Sequence, residues 1–127
     1  MNNNEINNRL KQIEIEDYIW IIYIGIIILS FYSNNLEADY YINNNLESKE
    51  KYRRSLILIF LILIVVYLYF LKGSITDIKN LKPWDSDKKK ELVTLSFIAS
   101  LLIVISGFIF LYIALNDEDL NVELAFN

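Results

Sequence analysis

Apolar residues in this chain form three long blocks, at residues 18–32, 56–71 and 92–115, and polar residues collect between them. Apolar side chains in continuous runs, and not at the spacing of an amphipathic helix, indicate segments that contact lipid on all sides. The pattern therefore predicts an all-α fold, a small polytopic membrane protein with three transmembrane helices. We expect these helices at about residues 18–32, 55–72 and 92–115, in one domain that covers residues 1–127.

The blocks differ in length. The first has about 15 residues, which make roughly 22 Å of helix against a hydrocarbon core of about 30 Å. Ile13 and Ile15 before this block and Leu36 after it are expected to lengthen the helix. The second block has no charged or amide side chain, so its transfer into the membrane contributes on the order of −4 to −8 kcal/mol. Gly73 follows the second block and is expected to end that helix.

Polar segments flank the blocks at both ends of the chain. The N-terminal leader, residues 1–17, is rich in Asn, but Ile6, Leu10 and Ile13 fall on one face of a helix. Two interpretations of the leader stay open: a short helix that lies in the membrane interface, or a partly ordered polar segment. The C-terminal tail, residues 116–127, is acidic.

The two connections between the blocks contain signals for helix ends. In the first connection, residues 34–37 and 44–47 each begin with Asn and end with Glu, which is the spacing of a capping box. Helical turns are therefore expected to continue past the hydrocarbon. In the second connection, Asp85 or Ser86 is the expected N-cap of the third helix.

Charged and aromatic residues near the blocks predict how the chain is held in the membrane. Eight of the twelve Lys and Arg residues lie in the leader and the second connection, and four lie in the first connection. This distribution favours a cytoplasmic N-terminus and an outer C-terminus. The run of three lysines in the second connection is either a solvated anchor or a site for anionic lipid. The expected membrane anchors are Trp20, Arg53, Arg54, Lys72, Trp84, Lys88, Lys89 and Lys90.

The composition excludes most catalytic chemistry. The chain has no Cys and no His, which removes disulfides, thiolate nucleophiles, imidazole bases and nearly all transition-metal sites. A net charge of −4 and the lack of a basic face that could track a nucleic-acid backbone exclude nucleic acid as a partner. No motif for a cofactor or for catalysis occurs, and we expect no enzyme activity. No acidic or basic side chain lies within a block, which argues against a self-sufficient transporter.

Small residues recur along the third block. Ser96, Ser100, Gly107 and Ala114 predict a face for close helix packing, with Gly25 as the opposing contact. This face either packs within the chain or serves a partner or a second copy. The hydroxyl groups of the same block also allow an oligomeric pore. Its narrow polar path would be lined by Thr94, Ser96, Ser100 and Ser106.

The C-terminal tail has a period-two pattern. Leu120, Val122, Leu124 and Phe126 are apolar and stand at alternate positions. The pattern predicts a strand that docks on the sheet edge of a partner. A frayed terminus or one more helical turn is the alternative.

Three short spans in a chain of this length resemble the architecture of phage holins and of small bacteriocin immunity proteins, without a shared motif. Many holins end in a basic tail, whereas no Lys or Arg follows Lys90 here. Frequent Asn, Ile, Lys and Tyr are typical of an AT-rich bacterial genome. We expect an interaction or regulatory (accessory) subunit of the bacterial cytoplasmic membrane, with a membrane-protein partner or self-association. The alternatives are a homo-oligomeric, holin-like pore and a bacteriocin-immunity-like protein.

The apolar blocks predict that the purified polypeptide requires detergent or lipid, because water cannot solvate three apolar helices of membrane length. We expect aggregation when detergent is removed and a monodisperse particle when the chain is transferred to lipid nanodiscs. Size-exclusion chromatography with light scattering checks both states. A monodisperse polypeptide in plain buffer would contradict the membrane interpretation.

Overall fold

The structure, a computed structural model, describes residues 2–124 and has three α-helices within them: α1 (Asn3–Asn43), α2 (Leu46–Lys79) and α3 (Asp87–Asn116). Each of the three helices is long and apolar enough to cross a membrane. No strand occurs among the described residues. The predicted all-α class with three transmembrane helices is confirmed.

The chain divides between Tyr52 and Arg53 into two compact units. The first contains α1, the turn after it and the first two turns of α2; the second contains the rest of α2, α3 and the residues that follow. The helices have 41, 34 and 30 residues, which correspond to about 62, 51 and 45 Å against a hydrocarbon core of about 30 Å. Each helix is therefore longer than the membrane core alone requires.

The N-terminal leader is the first part of α1. Asn2 Oδ1 accepts the backbone N–H of Glu5 at 2.9 Å, and Glu5 Oε2 accepts the backbone N–H of Asn2 at 3.0 Å. This capping box satisfies backbone donors at the start of the helix, and no helix breaker separates the leader from the first block. The leader is therefore neither a separate short helix nor a partly ordered segment, because the helix is continuous.

Helix α1 also continues after the first apolar block. Ser33 Oγ donates to the backbone carbonyl of Leu29 at 2.8 Å, so this polar residue fits the helix without disturbing it. Residues 18–36 contain no charged side chain and give about 28 Å of helix, enough for the hydrocarbon core. The expected helical extension is confirmed. The capping box expected at residues 34–37 is wrong, because Asn34 lies inside α1.

The turn between α1 and α2 has only two residues. Asn44 adopts the left-handed conformation, with φ of 50°, which asparagine tolerates better than most residues. Asn45 Oδ1 then accepts the backbone N–H groups of Glu47 and Ser48 at 3.1 and 3.3 Å. The N-cap of α2 is therefore Asn45 and not Asn44 as predicted, because the left-handed residue ends α1.

The carboxylate of Asp39 links α1 to the start of α2. It accepts hydrogen bonds from Asn43 Nδ2 at 2.6 Å and Asn45 Nδ2 at 2.8 Å, and a third from the hydroxyl of Ser48. The Ser48 bond, followed by the Asn43 bond, holds the pKa of Asp39 below its usual range. Three donors on one carboxylate fix the geometry of the turn.

Helix α2 does not end at Gly73. It continues to Lys79, and no glycine among the described residues has a positive φ. Ser74 Oγ donates to the carbonyl of Leu71 at 2.9 Å within the helix. The predicted end at Gly73 is wrong because glycine costs an internal helical position only about 1 kcal/mol. Helix α3 begins after Ser86, whose Oγ accepts the backbone N–H of Lys89 at 3.1 Å.

We expect Asp39→Ala to lower the temperature of unfolding in detergent, because three donors lose a shared acceptor. Folding depresses the pKa of Asp39 below the ordinary value of 3.8. The stabilisation is therefore present above that pH and is lost as the pH falls through the folded-state pKa. The melting temperatures of the two proteins should converge under acid conditions.

Circular dichroism melts from neutral pH to about pH 2.5 check this expectation. Glu37→Ala is the matched control, since it removes a carboxylate two residues earlier on α1. An equal loss of stability in the control, or a difference that does not shrink in acid, would contradict the role of Asp39.

Candidate functional site

The face of α3 that carries small residues lies against α2. A Cβ atom added to Gly107 would lie 3.1 Å from Ile64 Cγ1 and 3.4 Å from Tyr67 Cδ2. The first distance is shorter than an ordinary carbon–carbon contact, so glycine lets the two helix backbones approach closely. Gly25 differs, because an added Cβ there would meet no atom within 4 Å.

The small residues of α3 are buried to different degrees. Gly107 and Ala114 are buried and Ser100 is half-buried, at steps of seven residues. A step of seven keeps residues on one face when two helices pack at a shallow angle. Val104 is buried between them, whereas Ser96 is exposed. Ser96 lies one position off the alternating steps of three and four that define this face.

Two further contacts show that α2 and α3 run antiparallel. The rings of Phe60 and Phe110 stack with centroids 5.5 Å apart. Arg53 Nη2 donates to the carbonyl of Leu115 at 3.2 Å, close to the C-terminal end of α3. A guanidinium at this position offsets the partial negative charge of the last carbonyls. Arg53, predicted as a membrane anchor, thus binds the end of a neighbouring helix.

The hydroxyl groups proposed to line a pore are not gathered on one surface. Thr94 Oγ1 donates to the carbonyl of Lys90 within its own helix, at 2.8 Å. A hydroxyl hydrogen used in this way is not available to a permeating ion or water. Ser96 and Ser106 are exposed, and Ser100 is half-buried.

Asp85 organises the connection between α2 and α3. Its carboxylate accepts the backbone N–H of Lys82 at 2.7 Å and Lys89 Nζ at 3.2 Å. The bond from Lys82, and less strongly the interactions with Lys89, lower the pKa of Asp85. Lys90 Nζ donates to the carbonyl of Pro83 at 3.1 Å. Two of the three consecutive lysines therefore have partners within this connection.

The remaining predicted anchors lie on the surface. Trp84 is 81% exposed. Trp20 meets Tyr23 edge to face, with ring centroids 5.5 Å apart. Lys88 Nζ lies 3.8 Å from a carboxylate oxygen of Glu91. The anchors with exposed side chains are Trp20, Arg54, Lys72, Trp84, Lys88 and Lys89.

The tail is folded around Asp117, the C-cap of α3. Its carboxylate accepts the backbone N–H groups of Asn121 and Val122 at 2.9 and 2.8 Å. Leu120 has a left-handed φ of 56°, which interrupts the alternation that a strand requires. Docking of the tail to a partner remains a prediction. Of its four residues, Leu120 is half-buried, Val122 exposed and Leu124 buried, and Phe126 lies outside the described residues.

The end of the α1–α2 hairpin presents apolar side chains that sequence reasoning missed. Tyr41, Ile42 and Leu46, which we name the hairpin tip, are 62%, 80% and 67% exposed. The sequence placed these residues in a 22-residue polar connection, residues 33–54, with no reason to bring them together. The spacing of Asp39 and the asparagines that follow it could have indicated a hydrogen-bonded turn here. This spacing predicts the turn only when both helix ends are known.

Comparison of the chain with protein-family models, with curated proteins and with solved structures finds no match. Within residues 2–124, no group of three or more acidic side chains lies close enough to hold a metal ion. Function must therefore be inferred from the surfaces that the helices present.

We expect Gly107→Leu to destabilise the chain by about 1–3 kcal/mol, because the new side chain overlaps Ile64 and Tyr67. Gly25→Leu is the control and should change stability little, since an added Cβ meets nothing there. Titration with a denaturing detergent measures stability, and light scattering measures assembly. Equal behaviour of the two variants would remove the Gly107 face from any role in packing.

Proposed function

We propose that this multi-pass membrane protein is an interaction or regulatory subunit of the bacterial cytoplasmic membrane, with its N-terminus in the cytoplasm. The hairpin tip is the surface that binds a larger membrane-protein partner. The observation that supports this proposal is a hydrogen-bonded turn with exposed apolar side chains, which we place beyond the hydrocarbon core from the helix lengths.

The position of the tip follows from the helix lengths. The stretch of α1 without charged side chains ends at Leu36, and the corresponding stretch of α2 begins after Arg54. We take these two residues as the limits of the hydrocarbon on this side of the membrane. Ile42 is six residues past Leu36, and Leu46 is eight residues before Arg54. At 1.5 Å per residue these separations are roughly 9 and 12 Å. The headgroup layer adds only about 5–7 Å on each side of the hydrocarbon. We therefore place the tip in water, beyond the lipid headgroups.

Several polar contacts also hold the tip. The Asp39 carboxylate holds both sides of the turn, as described above. Lys49 Nζ lies 5.3 Å from the centre of the Tyr40 ring, and Lys51 Nζ lies 2.9 Å from a carboxylate oxygen of Glu47. An apolar surface that is fixed before binding loses little conformational entropy when a partner covers it.

Charge around the tip defines the partner further. Residues 37–51 carry four acidic and two basic side chains, a net charge of −2. A partner with an apolar pocket and a basic rim complements this surface. The acidic side chains are Glu37, Asp39, Glu47 and Glu50, and the basic ones are Lys49 and Lys51.

A pore has less support than a subunit. The close approach at Gly107 already uses the small-residue face of α3 against α2 of the same chain. The hydroxyl of Thr94 is bonded to its own helix. A homo-oligomeric pore would need another face for assembly and another polar lining.

Affinity purification from native membranes tests the subunit role. We expect the wild type to retain a companion protein in stoichiometric amount and Ile42→Asp to lose it, because an added carboxylate on an apolar contact must be desolvated. Leu10→Asp is the matched control: it makes the same change at an exposed apolar position of α1 outside the tip, and it should retain the companion.

Three outcomes would contradict the proposal. The companion is absent from the wild type, it is retained by Ile42→Asp, or it is lost equally from Leu10→Asp.

Purified wild-type protein is also added to dye-loaded vesicles, where we expect no leakage. Leakage would favour the pore, and protection of expressing cells from a membrane-active peptide toxin would favour the immunity role.

A further inference from the structure

The last two turns of α2 carry a basic face. Lys72, Thr76 and Lys79 are spaced four and three residues apart, so they share one side of the helix. All three side chains are exposed. Ser74, about 160° around the helix from Lys72 at 100° per residue, is only 4% exposed. The basic face is therefore the outward side of this helix end.

This face spans the depth of the lipid headgroups. If Arg54 marks one edge of the hydrocarbon, about 20 helical residues cover its 30 Å and place the other edge near residue 74. Lys72 lies within one turn inside this edge, from where its side chain reaches outward. Lys79 lies about 7 Å beyond the edge. The two ammonium groups thus bracket the phosphate layer.

These lysines differ from those of the neighbouring connection. Lys88 and Lys89 pair with Glu91 and Asp85. Lys72 and Lys79 make no ion pair or hydrogen bond through their ammonium groups in the part of the chain that the structure describes. Asp77 is the nearest acid in sequence, but it lies about 140° around the helix from Lys72.

The charge of the whole segment supports an anionic ligand. Residues 72–91 contain six lysines and four acids, a net charge of +2, in a chain whose net charge is −4. No other polar segment of the chain is net positive: the leader (residues 1–17) sums to −2, residues 33–55 to 0 and the tail (residues 116–127) to −4. Attraction to an anionic membrane surface is thus concentrated at this end.

We propose that the face formed by Lys72, Thr76 and Lys79 binds the phosphate of an anionic phospholipid. Lysine recognises phosphate as a point charge and without the paired geometry of arginine. Thr76 Oγ1 donates its hydrogen to the carbonyl of Lys72 at 3.0 Å, so it does not donate to the phosphate. Recognition therefore depends on lipid charge, and phosphatidylglycerol and phosphatidylserine bind alike.

The test uses the full chain reconstituted in vesicles of equal phosphatidylglycerol and phosphatidylcholine. The protein is extracted in mild detergent, and its retained lipids are counted by mass spectrometry. The wild type should retain phosphatidylglycerol in excess. Lys72→Gln with Lys79→Gln should lose most of this excess, at about fivefold per lysine, from the contribution of a lysine near an anionic surface.

Matched variants separate a local site from general charge. Lys11→Gln with Lys88→Gln removes the same charge elsewhere and should keep the excess, as should Lys72→Arg with Lys79→Arg. Circular dichroism confirms that each variant is folded. Equal loss in the Lys11 and Lys88 variant, or no excess in the wild type, would overturn the proposal.

A separate arm distinguishes lipid from free phosphate. Phosphatidylglycerol added to the protein in phosphatidylcholine bicelles should raise its melting temperature, and inorganic phosphate should not. An equal rise with inorganic phosphate would assign the face to a soluble anion and overturn the lipid assignment. A rise with phosphatidylglycerol but not with phosphatidylserine would contradict recognition by charge alone.

Discussion

The structure depends on one constraint: inside hydrocarbon, each peptide N–H and C=O must be bonded within the chain. An α-helix meets this requirement locally, and the three long helices are its direct result. The same constraint governs the polar side chains in the spans. Ser33 and Thr94 fit there because each donates to a carbonyl one turn earlier in its own helix. The apolar residues need no such arrangement, since lipid solvates them.

At the helix ends the constraint relaxes, and polar side chains take over the unpaired backbone groups. Asn2 and Asn45 accept from the first N–H groups of α1 and α2, and Ser86 does so for α3. At the other end of α3, Arg53 donates to the carbonyl of Leu115, and the carboxylate of Asp117 accepts backbone N–H groups of the tail. Polar interactions are therefore concentrated just outside the hydrocarbon, which is why the candidate surfaces lie at the helix ends.

This division explains what the sequence predicts and what it does not. The spans follow from composition alone, because a continuous apolar run has one stable solution in lipid. The caps do not, because a run such as Asn43, Asn44 and Asn45 offers three residues of one chemistry, and only the left-handed conformation of Asn44 assigns their roles. The predicted end of α2 at Gly73 is wrong for a similar reason: glycine permits a helix end but does not require one.

The packing face shows a further limit. Sequence spacing alone grouped Ser96 with Gly107. Helices that pack lengthwise alternate steps of three and four, however, and a step of four where the alternation requires three shifts a residue off the contact line. Whether residue 96 or residue 97 of α3 lies on the contact line depends on the position of α2. Local sequence does not contain that information, whereas the contact of Gly107 with Ile64 supplies it.

Both proposed surfaces include residues of α2. Leu46 and Lys72 lie on this one continuous helix, 26 residues apart, which is about 39 Å. The hydrocarbon takes up about 30 Å of that distance. Because the stretch from Leu46 to Lys72 is longer than the hydrocarbon is thick, the two proposed surfaces fall on opposite sides of a membrane that α2 spans.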